Sequence, residues 1–302
     1  MNVIKKKKRK FDIDDILFYC VFMAWPVVQF CIYYVGVNIN SILLSFRHVT
    51  ETSVDNFSFA QYVAVFKWLG KPEFASLIGV SIKAFLVTHL IGLPLGLLFA
   101  YYIFKKLPCW SGFRVILFLP QILSSVVVAG MFRYFIEEAF SYMAPSIGNL
   151  LDPTKDLQFP VLMFYNIWIG FGTGVLMYSN KMSAIPEEII ESAHLDGATG
   201  LREFWYIVLP LTYSTISVFL ITGMAGIFVN QFAAYDMYTW SASTQIKGIG
   251  YWFFVKVQAF KNMPYSEEIP YYSAIGVVLT FITIPIAFTT RWALEKYGPS
   301  ED

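Results

Sequence analysis

The chain has 302 residues, of which 57% are hydrophobic and only 14% are charged, and its formal net charge is +1. A soluble domain is typically about 45–50% apolar and about 25% charged. A chain of this length could not hide so much apolar surface from water in one core. The composition therefore argues against a soluble enzyme, a disordered chain or a nucleic-acid-binding module, and it predicts a protein whose solvent is a lipid bilayer.

Six runs of the chain contain no Asp, Glu, Lys or Arg and reach about 18 residues or more, close to the length that spans a bilayer as a helix. The runs are residues 16–46, 84–104, 115–132, 157–180, 204–235 and 269–290. They are continuously apolar rather than alternating, which favours helices over a barrel. We therefore predict an all-α integral membrane protein. Its membrane domain is residues 16–295, with six transmembrane helices at about 16–46, 76–104, 113–134, 158–180, 206–236 and 270–292.

Basic residues predict the orientation of these helices. The segment 1–15 contains the run KKKKRK, from Lys5 to Lys10, directly before the first apolar run. Cytoplasmic segments carry an excess of Lys and Arg. Placing this segment inside gives the inner segments more basic residues than the outer ones. We therefore expect both the N-terminal segment and the tail, residues 296–302, to be cytoplasmic, in a multi-pass protein of the cell membrane.

The inner loop between the fourth and fifth spans, residues 183–205, differs from the others. Pro186 followed by Glu187 and Glu188 is a typical helix start, because proline suits the first turn and acids face the positive end of the dipole. Apolar residues at Ile185, Ile189, Ile190 and Ala193 form one stripe. We predict a short amphipathic helix at about 186–196. Helices that lie on anionic lipid prefer Lys and Arg on their polar face, so this acidic helix is expected to dock onto a partner protein instead.

The same loop carries a motif of fixed spacing: E-A-A, three residues, G, nine residues, I-x-L-P. It is represented by Glu191, Ser192, Ala193, Gly197, Ile207, Leu209 and Pro210, and Asp196, Gly197 and Ala198 form a D-G-A sequence within it. This pattern resembles the EAA loop of permease subunits in binding-protein-dependent ABC importers. Ser192 departs from it by replacing one small residue with another.

Other segments resemble the carbohydrate-type permeases of that family, and the resemblance covers about residues 70–295. They are Phe113-Arg114, Phe118-Leu119-Pro120, Gly148-Asn149-Leu150-Leu151, Trp168, Gly170-Phe171, Gln231-Phe232, Tyr235-Asp236 and Tyr272-Ser273-Ala274. Two departures lie on the predicted outer side. Ile82-Lys83 stands where the family often has Asn-Thr, and Ser241-Ala242-Ser243-Thr244 replaces Thr-x-Gly-Gly-Pro.

The resemblance implies a permease subunit of an ATP-driven importer for a carbohydrate, which we expect to be an oligosaccharide. Two six-span subunits would form the path, and we expect the second to be a different chain. An extracellular or periplasmic solute-binding protein would deliver the sugar. ABC ATPase subunits would dock on the coupling loop 183–205 through Glu191, Ser192, Ala193, Asp196, Gly197 and Ala198.

The chain contains no GxxxxGK[ST] loop, so ATP hydrolysis is expected on a separate subunit. Nothing in the sequence predicts a catalytic site, a metal, a cofactor or a nucleic-acid partner. Membrane lipid is the other expected partner.

Polar and aromatic residues within the spans are the candidates for the solute path. Amides can hydrogen-bond sugar hydroxyls, and aromatic rings can stack on sugar faces. The candidates are His89, Asn166, Trp168, Asn230, Gln231 and Tyr235. The alternative for each is a hydrogen bond between helices or a place in the interfacial aromatic belt.

Other functions stay open at this point. The EAA loop is shared by importers of peptides, polyol phosphates and amino acids, and only the motifs within the spans favour sugar. An intramembrane enzyme would need paired catalytic groups, and the sequence has no embedded carboxylate pair, HExxH or GxSxG. A secondary transporter tends to show an inverted repeat and embedded acids, and neither is visible here.

Overall fold

The computed structural model describes residues 13–49, 54–55, 57–152, 154–260 and 268–299. The first twelve residues of the predicted basic segment, including Lys5 to Lys10, lie outside these ranges, as do residues 300–302 of the predicted tail. Helices make up almost all of the described regular structure. The exception among the described residues is a short antiparallel pair of strands, β1 (His48–Val49) and β2 (Val54–Asp55), which the sequence did not predict.

Fifteen α-helices follow one another along the described residues. They are α1 (Ile13–Gln29), α2 (Val37–Ser45), α3 (Ala60–Leu69), α4 (Pro72–Phe104), α5 (Trp110–Ile122), α6 (Ser125–Tyr134), α7 (Ser141–Met143), α8 (Gln158–Ser183), α9 (Glu187–Leu195), α10 (Leu201–Glu203), α11 (Leu209–Leu211), α12 (Tyr213–Ala225), α13 (Ala234–Tyr238), α14 (Ile249–Ala259) and α15 (Glu268–Tyr297). Three π-helical segments join neighbouring helices, at Phe30–Gly36, Phe135–Phe140 and Phe204–Val208.

Four helical segments of the described chain are long and apolar enough to cross a membrane: Leu17–Ser45, Pro72–Phe104, Gln158–Ser183 and Glu268–Tyr297. Two further segments pass the same test only as bent pairs of helices. The structure thus gives four candidate spans, or up to six if each bent pair crosses once, against the six that the sequence predicts. It has the predominantly helical architecture of a multi-span membrane protein.

The first bent pair replaces the continuous helix predicted at 113–134. Trp110–Ile122 and Ser125–Met143 meet at 102°. Pro120 lies in the last turn of α5, where it lacks the N–H of a helical hydrogen bond. Leu123 then adopts an extended conformation (φ −85°, ψ 155°), and α6 starts afresh after Ser124.

The second bent pair differs from the continuous helix predicted at 206–236. Leu201–Leu211 and Tyr213–Ala225 meet at 64°, and Pro210 lies in the short helix before the bend. The helix also ends at Ala225, well before residue 236, and Phe232 and Ala233 both have left-handed φ values (51° and 56°). Residues 226–231, between Ala225 and Phe232, contain no charged residue, so the absence of charge alone could not show this end.

The chain divides into two compact units: residues 1–65 with 267–277, and residues 66–266 with 278–302. In the first unit, the side chains described along α1, the π-helical segment Phe30–Gly36 and α2 are almost all exposed, including Trp25 and Tyr33. An apolar helix with this exposure is suited to contact with lipid. In the described part of the second unit, buried apolar side chains cluster around Tyr165 and Met237, and also around Tyr178 and Phe204.

In the second unit, α4 and α5 both pack against α8. A Cβ built on Gly172 of α8 would lie 2.3 Å from the carbonyl oxygen of Leu117 in α5, so only glycine permits this approach. Gln121 of α5 donates from Nε2 to the carbonyl oxygen of Ile169 (2.8 Å) and accepts from the hydroxyl of Thr173. These contacts fix α8 as the central helix of the unit.

Candidate functional site

The loop after α8 contains the helix α9, Glu187–Leu195, where the sequence predicts a helix at about 186–196. Pro186 precedes it with φ −56° and ψ 135° and has no N–H to leave unpaired. Glu187 and Glu188 occupy the first turn, where negative charge is favourable. The start of the helix therefore has the physical basis that the sequence indicated.

The predicted apolar stripe of α9 is only partly buried. Ala193 is buried, and Ile185 and Ile190 pack against the cluster that contains Phe204. Ile189, in contrast, is 40% exposed. One face of the helix is therefore anchored to the protein, and the other is free for a partner.

A Schellman motif ends α9. The amide of Ala198 donates to the carbonyl of Ala193 (2.8 Å), and the amide of Gly197 donates to the carbonyl of His194 (3.0 Å). Gly197 has a φ of +78°, which an L side chain rarely adopts. This pair of hydrogen bonds around a left-handed residue defines the motif. The D-G-A sequence thus has a local structural role: Asp196 is the C-cap, Gly197 makes the turn and Ala198 closes it.

A buried carboxylate follows the motif. The side chain of Glu203 is fully buried, and its oxygens accept hydrogen bonds from Nζ of Lys105 at 3.1 and 3.0 Å. Nε2 of His194 lies 2.7 Å from Oε2 of the same carboxylate. Lys105 is the C-cap of α4, and His194 is in the last turn of α9. One buried charge therefore joins three segments of the chain.

Tyr101 reinforces this junction one turn before Lys105. Its hydroxyl donates to the carbonyl of Gly200 at 2.9 Å, and its ring lies 5.0 Å from the ring of Phe204. Gly200 has a φ of +59°, which directs the chain from the end of α9 into α10. The end of α4 thus holds the segment Gly200–Phe204 by a hydrogen bond, an ion pair and ring packing.

The predicted docking residues divide between the two faces of this loop. Glu191, Ser192, Asp196 and Gly197 are exposed, whereas Ala193 is buried and Ala198 is half-buried. The Ser192 hydroxyl donates to the carbonyl of Glu188 within α9 (2.8 Å). Together with the two acids at the start of α9, Glu191 and Asp196 make its outward surface acidic. Leu195, 90% exposed, adds an apolar contact at the end of the helix.

A cavity of about 140 Å³ lies among α4, α8 and α12. Two of the predicted path residues, His89 and Asn166, line it together. Its other lining residues are Thr88, Gly92, Leu93, Gly96, Ile167, Gly170, Phe171, Gly174, Tyr178 and Phe219. Glycines on α4 and α8 open this space, and the polar groups around it are a hydroxyl, an amide, an imidazole and a phenol.

Asn166 also has the helix-bonding role that the sequence left as an alternative. Its Nδ2 donates to the carbonyl of Leu162 in its own helix (2.7 Å) and to the carbonyl of Phe232 (2.6 Å). Phe232 is one of the two left-handed residues after α12. Asn166 therefore satisfies a backbone carbonyl that the broken helix leaves without its regular partner.

The other four predicted path residues do not line this cavity. Trp168 is 38% exposed and packs against rings of Phe132 and Tyr165. The Asn230 side chain accepts from the amide of Phe232 (2.8 Å), and Gln231 is half-buried beside it. The ring of Tyr235 contacts those of Trp240 and Phe254.

The sequence reasoning missed Lys105, His194 and Glu203. Lys105 and Glu203 each stand directly beside a predicted span, one after the second charge-free run and one before the fifth. A Glu that becomes buried beside a span needs a basic partner, because an unpaired buried charge is costly. The position of Glu203 next to a span was therefore the sequence signal for such a partner. No local spacing could show that the partner lies 98 residues away.

Taken together, these features describe a helical membrane protein in which a short helix with an acidic, exposed face is tied to the ends of neighbouring spans. Residues 92–299, well over half of the chain, match the sequence family described as "Binding-protein-dependent transport system inner membrane component". The chain belongs to this family, and it is a permease of the membrane-embedded part of an ABC importer.

Individual relatives agree with this assignment. The chain is 28% identical over 236 residues to the multiple sugar-binding transport system permease protein MsmF of Streptococcus mutans, covering 74% of this chain and 77% of the relative. It is 26% identical over 291 residues to the arabinooligosaccharides transport system permease protein AraP of Halalkalibacterium halodurans, covering 91% and 83%. It is also 26% identical over 226 residues to the sn-glycerol-3-phosphate transport system permease protein UgpA of Brucella abortus, covering 72% of each.

The fold agrees as well. A chain from the crystal structure of a bacterial ABC transporter involved in the import of the acidic polysaccharide alginate superposes with a TM-score of 0.75 at 20% identity, covering 94% of this chain and 96% of that one. A second structure, of a bacterial alginate ABC transporter in complex with an alginate pentasaccharide-bound periplasmic protein, gives the same TM-score at 19% identity. Both establish the fold alone.

Proposed function

We propose that this permease imports an oligosaccharide, that α9 is the helix on which an ABC ATPase docks, and that the cavity among α4, α8 and α12 is part of the solute path. A solute-binding protein outside the membrane delivers the sugar, and a second permease chain completes the path. The predicted orientation, with the basic N-terminal segment inside, puts α9 on the cytoplasmic side with the ATPase.

The observation that carries the docking proposal is the two-sided character of α9. Ala193 and Ile190 anchor one face, and the Schellman motif at Gly197 fixes the end of the helix. Glu191 lies on the opposite, exposed face and has no hydrogen-bond or ion-pair partner among the described residues. A rigidly held helix with an exposed charge can transmit movement from a partner, because it moves with the segments behind it.

The lining of the cavity supports a neutral, hydroxylated solute. Thr88, Asn166 and Tyr178 offer hydroxyl and amide groups, and Phe171 and Phe219 offer aromatic surface. Apolar walls with a few polar groups are typical of small-molecule sites. Two of the named relatives, MsmF and AraP, are permeases for sugars or oligosaccharides by name.

A polyol phosphate is the second candidate, because the relative UgpA is named for sn-glycerol 3-phosphate. A phosphate group is usually held by Arg or Lys. Neither residue type lines the described cavity, and Lys83 instead lies over the ring of Phe159 (4.5 Å). The cavity therefore favours the sugar over the phosphate.

Docking is tested by purifying the tagged permease complex in mild detergent and quantifying the ATPase that accompanies it. We expect Glu191→Lys to reduce the recovered ATPase about tenfold, which corresponds to a loss of about 1.4 kcal/mol of binding free energy. Glu73→Lys is the matched control, because Glu73 is an exposed acid at the start of α4, at the predicted outer end. Equal recovery with both variants would contradict the assignment of α9 as the docking helix.

The solute is tested separately, by ATP hydrolysis of the complex reconstituted in liposomes with its binding protein. Maltotriose, arabinotriose and glycerol 3-phosphate are the probes. Stimulation by a neutral oligosaccharide supports the proposal. Stimulation by glycerol 3-phosphate alone would establish the second candidate instead.

A further inference from the structure

The ion-pair cluster of Lys105, Glu203 and His194 belongs to three separate segments. Lys105 caps α4 at its end, His194 is in the last turn of α9, and Glu203 ends α10 at the beginning of the second bent pair. The carboxylate has no exposed surface, whereas the Lys105 and His194 side chains are 27% and 41% exposed. The acid is thus the central member, and its two partners reach it from the solvent-facing side.

A buried carboxylate is stable only while its partners are in place, because removing a charge from water is costly unless it is paired and hydrogen-bonded. Glu203 meets this condition through both oxygens. A movement that separated α9 from the end of α4 would take either Lys105 or His194 away from this buried carboxylate. The cluster therefore opposes relative movement of the two helices, because separating one partner from a buried ion pair is strongly destabilising.

Backbone geometry makes the junction stiff on both sides of the acid. On the side of α9, the Schellman hydrogen bonds join Ala198 to Ala193. On the side of α4, the hydroxyl of Tyr101 holds the carbonyl of Gly200 one turn before Lys105. The five residues that follow Ala198, residues 199–203, have little freedom to bend between these attachments.

We propose that Glu203 is a positioning residue that locks α9 to the cytoplasmic end of α4, so that a displacement of α9 moves α4 with it. This inference rests on the proposed function, in which an ATPase displaces α9. It goes further because it names α4 as the span that moves with α9. It also names the side chains that transmit the movement, those of Lys105, Glu203 and His194. Ile190 also packs against a buried cluster that includes Leu97 and Ala100 of α4, so the ion pair acts beside apolar contacts between the same two helices.

The test measures a distance within the purified complex by pulsed electron paramagnetic resonance. Spin labels are placed at Leu195→Cys, the exposed last residue of α9, and at Leu107→Cys, whose amide donates to the carbonyl of Tyr102 at the end of α4. The three native cysteines are replaced by serine. Distances are recorded without nucleotide and with ATP plus vanadate.

With Glu203 unchanged, we expect the label distance to be the same in both states, because the two helices move together. Glu203→Gln removes the charge and is expected to broaden or shift the distance distribution beyond its width in the parent. Glu295→Gln is the matched control, because Glu295 pairs with Arg291 (2.7 Å) within a single helix. It should leave the distribution unchanged.

Three results would overturn the proposal. The first is a distance that changes with ATP while Glu203 is intact, and the second is a Glu203→Gln distribution identical to that of Glu295→Gln. The third concerns the variant Lys105→Met/Glu203→Met, which removes both charges and so leaves neither buried alone. If it retains the parent distribution, apolar packing and not the ion pair joins the helices.

The failure of the proposed function is recognised separately. It appears as a parent complex that carries no ATPase, and it is independent of the label distance. The label distances of Glu203→Gln and its parent can also be compared without nucleotide in the isolated permease. That comparison tests whether Glu203 holds α9 against α4 even when no ATPase is bound.

Discussion

Gly223 of α12 lies so close to His89 of α4 that a Cβ built on the glycine would be 2.3 Å from Nε2 of the histidine. The ring is also held within α4, where Nδ1 donates to the carbonyl of Phe85 (2.9 Å) and the centroids of the two tilted rings lie 4.1 Å apart. The imidazole therefore has one position, between two helices and at the wall of the cavity. The absence of a side chain at residue 223 is what permits it.

Replacement of this glycine tests whether the cavity depends on the contact. Gly223→Ala should destabilise the permease by about 1–3 kcal/mol, the usual cost of overpacking, because the new methyl group overlaps His89 and also approaches Phe85. The free energy of unfolding in detergent is the measurement. Solute-stimulated ATP hydrolysis should fall as well, because the displaced ring would enter the cavity.

Gly79→Ala is the control for this change. Gly79 is in α4, the same helix as His89, and nothing lies within 4 Å of a Cβ built on it. Alanine favours a helix over glycine by up to about 1 kcal/mol, so the control should be neutral or stabilising. A Gly223→Ala variant as stable as Gly79→Ala would mean that the ring relaxes without cost and that the contact does not define the cavity.

The sequence predicted the elements that depend on composition and local chemistry. The spans followed from runs without charge, and the position of α9 followed from Pro186, two acids and Gly197. It did not predict the bends after Ile122 and at Thr212, because the apolar runs continue through both. Proline marked each bend, yet Pro94 and Pro285 lie inside α4 and α15 without ending them. Whether a proline breaks a helix is decided by packing, which a single sequence does not contain.

The candidate site likewise contains features that the sequence could predict and features that it could not. The local turn at Gly197 follows from its sequence motif, whereas the cluster at Glu203 depends on a partner 98 residues away. Of the path residues, His89 and Asn166 come together only because α4 packs along α8. Residues Asn230 to Tyr235 were expected in a regular helix and lie largely in its irregular continuation. Long-range packing therefore determines where these residues lie, which the periodicity of the sequence could not predict.

The left-handed backbone at Gly197 leads to a second prediction. A β-branched side chain is strained at a φ of +78°, and a left-handed conformation costs an L residue about 1–2 kcal/mol. Gly197→Val should therefore loosen the end of α9 and lower the amount of ATPase recovered with the permease. Gly197→Asn should preserve most of it, because asparagine tolerates this conformation at helix ends. Equal losses with valine and asparagine would show that the space at residue 197, and not its backbone angle, is what matters.

The hydrogen bond from Asn166 to the carbonyl of Phe232 leads to a third prediction. Asn166→Leu has nearly the same size but removes the donor, so it leaves this carbonyl unpaired beside the end of α12. Hydrogen bonds between membrane helices contribute about 0.6–2 kcal/mol, and we expect a loss of stability of that order without any solute present. The measurement is the free energy of unfolding in detergent.

A residue that only contacts solute would not change the stability of the solute-free protein, so this measurement separates the two roles of Asn166. Asn38→Leu is the control, because Asn38 donates to the carbonyl of Tyr34 one turn earlier in the same continuous segment, Leu17–Ser45. If Asn166→Leu is as stable as Asn38→Leu and only transport is lost, Asn166 serves the solute and not the broken helix. If both stability and transport fall, the irregular segment after α12 is held in its conformation by α8, and the path depends on that support.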